Sequence, residues 1–411
     1  MNLNIEKVNN NMNAIVIGAG ASGLTCAITL ARRGISVTVF EKLESSAKKI
    51  LVTGNGRCNY WNEDFNNKYF HSNNEEFIKE VNTEENRKEV LSFFDVLGIV
   101  PFIKNGYYYP MSMQASSIRD VLLDEVNKLV IKVVNNSEVI NVKKMNDKFF
   151  IETTNGGAVS DYLIVATGSN AYYKNSNLGY NLCKTFGHNI IDTLPSLVQL
   201  VGDADYFNSW AGIRNNSKVT INVDKEPKKE EIGELMLTDY GISGICVFNI
   251  SGIAAKALHE NKQVEVAINF LPNIDNLNNF LEERSNKVDK ELGKFFEGIL
   301  NKKLVEIILK KTNLNKNKKY KELNDIEKNS LINNLSSFKV KIVGTKDFSN
   351  AQVSSGGVDT KEVDPKTFES KLCNGLYIIG EVLDVDGDCG GYNLGFAWLS
   401  GIIAGRSVKS D

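Results

Sequence analysis

Gly18, Gly20 and Gly23 stand in the spacing Gly-x-Gly-x-x-Gly directly after the apolar run Ala14–Ile17. In that setting the first glycine allows a tight turn and the second lets backbone approach a pyrophosphate. The third lets a helix pack closely on a strand. Ala21, Ser22 and Gly23 then open a helix whose free N–H groups suit phosphate oxygens. Glu41 lies 23 residues after Gly18, at the end of a second apolar run. It is placed, with Lys42 beside it, to accept hydrogen bonds from ribose hydroxyls. A carboxylate there repels a 2′-phosphate, so FAD or NAD is favoured over NADP.

Downstream residues select FAD. Ala166-Thr167-Gly168 closes a strand with the turn that two-dinucleotide flavoproteins carry. Gly380-Glu381 follows another strand, where an acid reaches a flavin's ribityl chain. Gly390-Gly391-Tyr392-Asn393, with Leu394 next, opens a helix whose positive end suits the pyrimidine ring of reduced flavin. Val139 is a further expected cofactor contact. The loop Gly54-Asn55-Gly56 holds backbone close to the cofactor, followed by Arg57, Cys58 and Asn59. Either Arg57 stabilises the flavin or a bound carbonyl, with Cys58 near the ring, or the loop touches the ribityl-phosphate tail and Cys58 only packs. Tyr392 is a third catalytic candidate. A lone cysteine excludes the dithiol relay of disulfide reductases.

Other reactive residues have bland readings. His71, His188 and His259 share no motif, and Lys225–Glu231 reads as a solvated loop. Tyr107, Tyr108 and Tyr109 either line a pocket for a ring-shaped substrate or merely pack. Asp384, Asp386 and Asp388 lack the glycine and terminal Glu of a calcium loop, so no metal is expected.

The elements that must position these groups follow from periodicity. Ala14–Ile17, a helix over Ala21–Arg33 and Ile35–Phe40 make a βαβ unit and imply a parallel sheet. Helical periods run over 75–98 and Ile118–Val130. Strands then dominate from Ile131 to Val165, read as a small antiparallel meander feeding back into the main sheet. Residues 190–270 read as strand-rich, 277–335 as helical, Gly375–Gly380 as a buried strand and Leu394–Ala404 as a closing helix. Residues 1–12 read as an Asn-rich, frayed leader.

The expected class is α/β: a split Rossmann-like FAD-binding domain, with a β-meander, over 1–190 and 346–411. An inserted β domain occupies 191–345, with a helical subdomain at about 277–335. This insert is expected to cover the flavin's reactive face and select the substrate. Bulky residues at Ser243 or Gly244 should then alter turnover while FAD content stays full. No second Gly-x-Gly-x-x-Gly follows a strand, so NADH or NADPH would bind transiently over the flavin, or a donor protein would supply electrons.

Composition bounds the partners. In 411 residues the net charge is -2, hydrophobic content is 42% and charged content 24%, values of an ordinary globular protein. With a pI near 6.1, no nucleic-acid partner is expected. Cysteines at 26, 58, 183, 246, 373 and 389 form no Cys-x-x-Cys pair, which suits a reducing cytoplasm. The apolar stretch Ala14–Leu30 is broken by Gly18, Gly20 and Gly23 and lacks a basic leader, so no signal peptide is expected, and no apolar run of about 18 residues suggests a membrane span.

Several motifs together resemble the HI0933-like (BaiN-like) flavoproteins. They are Lys48-Lys49-Ile50 through Gly54-Asn55-Gly56-Arg57-Cys58-Asn59, Leu237-Thr238 through Gly241-Ile-Ser243-Gly244, and Gly356-Gly357-Val358 with Glu362-Val363-Asp364 and Phe368. The last are Gly380-Glu381 through Asp384, Asp386 and Gly387, and Gly390-Gly391-Tyr392-Asn393. The resemblance spans nearly the whole chain. It implies non-covalent FAD, a Rossmann-like core and a β insertion carrying a helical subdomain. Some members are similar to reductases of activated C=C bonds, and others are named for amine oxidation. Gly395, Asp239 and the segment from Ser169 to Tyr173 depart from the family pattern. The function these readings converge on is reduction of an enone-like C=C bond in a small molecule. Its rivals are an amine oxidase, a flavin-dependent RNA-modifying protein and a non-catalytic FAD redox partner. Glu41→Ala is expected to weaken FAD while leaving the fold intact.

Overall fold

The structure, a computed structural model, describes residues 12–172 and 177–409. Apart from Met12, the expected leader lies outside them, as does Tyr173. The chain opens with β1 (Asn13–Ile17), α1 (Ala21–Arg32) and β2 (Ser36–Phe40). A 3₁₀ segment, Lys48–Gly56, kinks at Thr53, Gly54 and Asn55, and the short strands β3 (Trp61–Asn62) and β4 (Phe70–His71) follow. The single helix expected over 75–98 is two, α2 (Glu75–Val81) and α3 (Glu84–Val96). The Thr83 hydroxyl accepts from Asn86 N and starts the second one, a capping signal that overrides a continuous apolar period.

Next come the hairpin β5 (Pro101–Lys104) and β6 (Tyr107–Pro110), then α4 (Ala115–Lys128) and β7 (Lys132–Val134). β8 (Val139–Met145), β9 (Lys148–Thr153), β10 (Gly156–Ser160), β11 (Tyr162–Val165), α5 (Leu178–Thr185) and β12 (Ile190–Ser196) complete this part. The middle of the chain gives β13 (Leu200–Gly202), α6 (Phe207–Trp210), β14 (Arg214–Val223), β15 (Glu226–Thr238) and β16 (Gly241–Ser243). It continues through α7 (Ile245–His259), β17 (Val264–Asn269), α8 (Leu277–Lys287), α9 (Leu292–Phe295), α10 (Lys302–Lys311), α11 (Asp325–Ser336) and β18 (Phe338–Thr345). β19 (Val353–Val358), β20 (Leu376–Ile378), β21 (Asp386–Gly387) and α12 (Tyr392–Ser407) close it.

The chain divides into two compact units: one runs to Thr193 and resumes at Val353, the other is Leu194–Gln352. The first unit is built on a five-stranded sheet in the order β20-β11-β1-β2-β7, with every neighbouring pair parallel. Its central strands are buried on both sides, as a parallel sheet covered by helices requires. β7 therefore belongs to this sheet, and the antiparallel meander is β10-β9-β8 alone. α12 lies against α1 so closely that a Cβ at Gly401 would come within 2.6 Å of Ser22 O and one at Gly405 within 2.6 Å of Thr29 Cβ. Small residues at these two positions set the helix spacing.

The second unit is a closed barrel, β13-β16-β15-β14-β17-β18, and the helices α8–α11 lie in sequence between its strands β17 and β18. Strand β14 buries alternate residues from Ser217 to Val223, the period-two pattern of a half-buried strand. Within the segment read as strand-rich, Ile245–His259 is instead a helix. Val247, Ile250, Ala254 and Ala257 are buried at helical spacing, but Phe248, Ile253 and Leu258 between them are apolar too, so the sequence carries little 3.6-residue polarity. Gly241–Ser243 and the Gly244 that follows belong to the barrel. Ser243 is buried, and a Cβ at Gly244 (φ +108) would overlap Glu234 O, so bulk there damages the barrel itself. Among the described residues no helix is long and apolar enough to cross a membrane.

Candidate functional site

The three fingerprint glycines divide their work in a way the geometry makes explicit. Gly18 has φ +106, and a Cβ there would overlap the Ala166 carbonyl oxygen, so this turn is pressed against Ala166-Thr167-Gly168. At Gly23 a Cβ would overlap Gly18 O, which fixes how closely α1 sits on its own turn. Gly20 is different: its φ and ψ, -87° and -166°, suit any residue, and a Cβ would meet nothing within 4 Å. It is the N-cap of α1, which has no side-chain cap and no acid in its first turn. Open space before an uncapped helix N-terminus accepts an anion.

Glu41 closes the far side of this turn. Its two carboxylate oxygens accept from Ala19 N at 2.8 Å and Leu43 N at 2.9 Å. Its carbonyl accepts from Ser137 N at 2.9 Å, which brings the start of β8 alongside. Val139 is buried there with its side chain in the core, Lys42 is half-buried, and the buried Ser137 hydroxyl has no partner among the described residues.

A second cluster gathers residues from three distant segments. Gly54, Asn55, Gly56 and Cys58 all have positive φ, so the loop turns back on itself and leaves Arg57 exposed. Cys58 is fully buried and burial pushes its thiol up to about 12, which keeps it protonated and out of thiolate chemistry. Asn59 Oδ1 has no partner among the described residues and would sit 3.0 Å from a Cβ at Gly391, the left-handed N-cap of α12. Asn62 donates to Gly390 O at 2.8 Å, and Asn393 both accepts from Gly387 N at 2.8 Å and donates to its carbonyl at 2.7 Å. Leu394 is half-buried beside them.

Strand β6 separates its tyrosines. Tyr108 packs edge-on against buried Tyr60, while Tyr107 and Tyr109, two residues apart, share the other face. The Tyr107 ring lies 3.0 Å from a Cβ at Gly390 and that of Tyr109 lies 3.9 Å from one at Gly54. Burial raises the Tyr109 hydroxyl above the usual tyrosine value, and the nearby Arg57 guanidinium opposes that rise. Tyr392, by contrast, is buried and stacked on Tyr69 at 4.6 Å, and burial pushes its hydroxyl far upward. His71, which no motif marked, pairs with buried Asp388 at 3.0 Å, and Asp384 accepts from Asn73 N at 2.9 Å. The spaced aspartates thus fasten the loop before α12 to β4 and its neighbours.

A third group surrounds Glu381. Its carboxylate pairs with Lys49 at 2.7 Å and accepts from Ser354 N at 3.2 Å. Gly380 (φ +74) leaves room for Ser22 Oγ against it, and Thr167 presses against Gly179 at the start of α5. Nothing in the sequence marks Ser354 or Tyr180 as a site residue, and the one local signal for Lys49 is its place in the Lys48–Asn59 motif.

Comparison with known proteins places this arrangement in a family. The family model described as "HI0933-like protein Rossmann domain" matches residues 12–407. A 3-dehydro-bile acid delta(4,6)-reductase of Clostridium scindens is 37% identical over 406 residues, covering 97% of this chain and 99% of that protein. A ribosomal RNA dihydrouridine synthase of Haemophilus influenzae is 30% identical, covering 96% of this chain and 98% of its own. That of Escherichia coli is also 30% identical, covering 94% and 95%.

Proposed function

The chain belongs to the HI0933-like family, and from that premise we propose that it is an FAD-dependent reductase of a C=C bond conjugated to a carbonyl in a small organic molecule. One observation carries the reading. Relatives that align with nearly the whole chain act on chemically unlike substrates, a bile acid and ribosomal RNA, yet both names describe saturation of a C=C bond. In a 3-oxo-Δ4,6 steroid and in uracil alike, that bond is conjugated to a carbonyl. The relative of higher identity acts on the small molecule, and the net charge of -2 offers RNA no bulk attraction. RNA reduction is the second reading, favoured by the two 30% identical synthases.

The residues fit FAD. The space opposite Gly20 and the uncapped start of α1 suit its pyrophosphate, Glu41 retains lone pairs for the adenosine ribose, and Glu381 with Lys49 suits the ribityl hydroxyls. FAD when bound supplies a hydride equivalent at flavin N5, with NADH or NADPH as its proposed source. The chain's own part is to orient the acceptor and handle its charge and proton. Arg57, exposed at the end of the loop, holds the substrate carbonyl oxygen and stabilises negative charge developing there. Tyr109 holds the proton that the α-carbon receives, its hydroxyl kept protonated by burial. Tyr107 and Tyr109 together offer a flat face for a ring-shaped acceptor. Cys58 and Tyr392, both buried, pack and are given no role in proton transfer.

The test is anaerobic reduction of the yellow protein by NADH or NADPH, followed by reoxidation with a conjugated enone, uridine-containing RNA, an amine-derived imine or air. Rapid reoxidation by the enone alone is expected; reoxidation by RNA and not by enones would establish the second reading, and by air alone would sink both. With the enone as acceptor, Tyr109→Phe should lower turnover about a hundredfold, the lower range for loss of a positioned acid. FAD content and the rate of flavin reduction should stay at wild-type levels, and unchanged turnover would remove Tyr109 from the reaction.

A further inference from the structure

Two buried hydroxyls beside Glu381 have no hydrogen-bond partner among the described residues. Tyr180, in the first turn of α5, is 4% exposed, and its hydroxyl has no hydrogen-bond partner among the described residues. Ser354, in β19, is 1% exposed; its backbone N donates to Glu381, yet its own Oγ also lacks a partner. α5 packs against β19, and Gly179 is wedged between Thr167 and Val382, the residue after Glu381. The Tyr180 hydroxyl is near enough to Glu381 for that carboxylate to reinforce the upward shift that burial imposes on it. Glu381 itself is already matched, to Lys49 and to Ser354 N. Buried hydroxyls are almost always paired in folded proteins, and leaving one unpaired is costly. Two of them flanking one carboxylate therefore point to a ligand rather than to chance.

We propose that Tyr180 and Ser354 hydrogen-bond the ribityl chain of FAD, and with Glu381 and Lys49 form a subsite for a polyol. The chemistry is matched: each ribityl hydroxyl both donates and accepts, Glu381 only accepts, Lys49 only donates, and the two hydroxyls do either. The proposal rests on the FAD reading above, and deepens it by assigning residues to one part of the cofactor. It also explains why residues as distant in sequence as Lys49, Tyr180, Ser354 and Glu381 converge here.

The test titrates the full-length chain, stripped of flavin, with FAD and with ADP, which has the pyrophosphate and adenosine but no ribityl chain. Tyr180→Phe and Ser354→Ala should each weaken FAD about fivefold to tenfold while ADP affinity stays within twofold. Thermal unfolding of the flavin-free Tyr180→Phe protein should be no lower than wild type, because the lost hydroxyl has no partner there. Unchanged FAD affinity in both variants, or equal losses for FAD and ADP, would overturn the assignment while leaving the FAD reading intact. A wild-type chain that bound ADP or nothing, but showed no preference for FAD, would instead bring down the FAD reading and this inference with it. Should Tyr180→Phe fail to fold, its hydroxyl is structural, and Ser354→Ala decides the subsite alone.

Discussion

A Gly20→Asp protein is expected to fold like wild type and to purify colourless. The backbone at Gly20 suits an L residue, and a side chain there enters open space. Aspartate is also a good N-cap and would satisfy a first-turn N–H of α1, so the flavin-free protein should unfold at the wild-type temperature or slightly above it. That same carboxylate would occupy the place of the FAD pyrophosphate. Two unit charges about 4 Å apart repel by roughly 4 kcal/mol near a protein surface, which alone corresponds to about a thousandfold in affinity. The contrast is Gly23→Ala, whose Cβ would overlap Gly18 O; there the loss should be in stability, with cofactor loss as a consequence. Flavin fluorescence titration and thermal unfolding without flavin separate the two. If Gly20→Asp retained its FAD, the α1 terminus would not be the phosphate site.

The second large effect is at Glu41. Its carboxylate was expected to serve the cofactor alone, so that Glu41→Ala would leave the fold intact. The structure revises this, because each oxygen already accepts a backbone N–H, from Ala19 and from Leu43. Losing two hydrogen bonds to a charged group costs about 3–6 kcal/mol at roughly 1.5–3 kcal/mol each. For a unit of this size, at roughly 2–4 °C per kcal/mol, that lowers the unfolding temperature by about 6–24 °C, even without flavin. FAD affinity should fall a further tenfold to hundredfold through the ribose contact. An unchanged melting temperature in the flavin-free variant would mean that Glu41 does not fasten the turn as drawn.

The contrast between these two sites marks the boundary between local pattern and tertiary context. Sequence alone determined that Ala14 to Phe40 is a βαβ unit, because strand, glycine turn, helix and strand are all contiguous and each is encoded by nearest-neighbour periodicity. It determined equally that the closing helix returns to the same domain, and that the barrel segment is an insertion between two halves. It could not determine whether 75–98 was one helix or two, nor that Ile245–His259 was helical, since a buried helix with little polarity contrast looks like strand. Nor could it separate Tyr107 and Tyr109 from Tyr108: three identical residues in a row show no alternation, and which of them meet Gly390 and Gly54 depends on segments far away in the chain. The same holds for the burial of Cys58, for His71 with Asp388, 317 residues apart, and for Lys49 with Glu381, 332 apart. Whether a side chain is buried, paired or left without a partner depends on what folds against it. That is why the glycine fingerprint was legible in one dimension, while the unpaired hydroxyls of Tyr180 and Ser354 exist only in three.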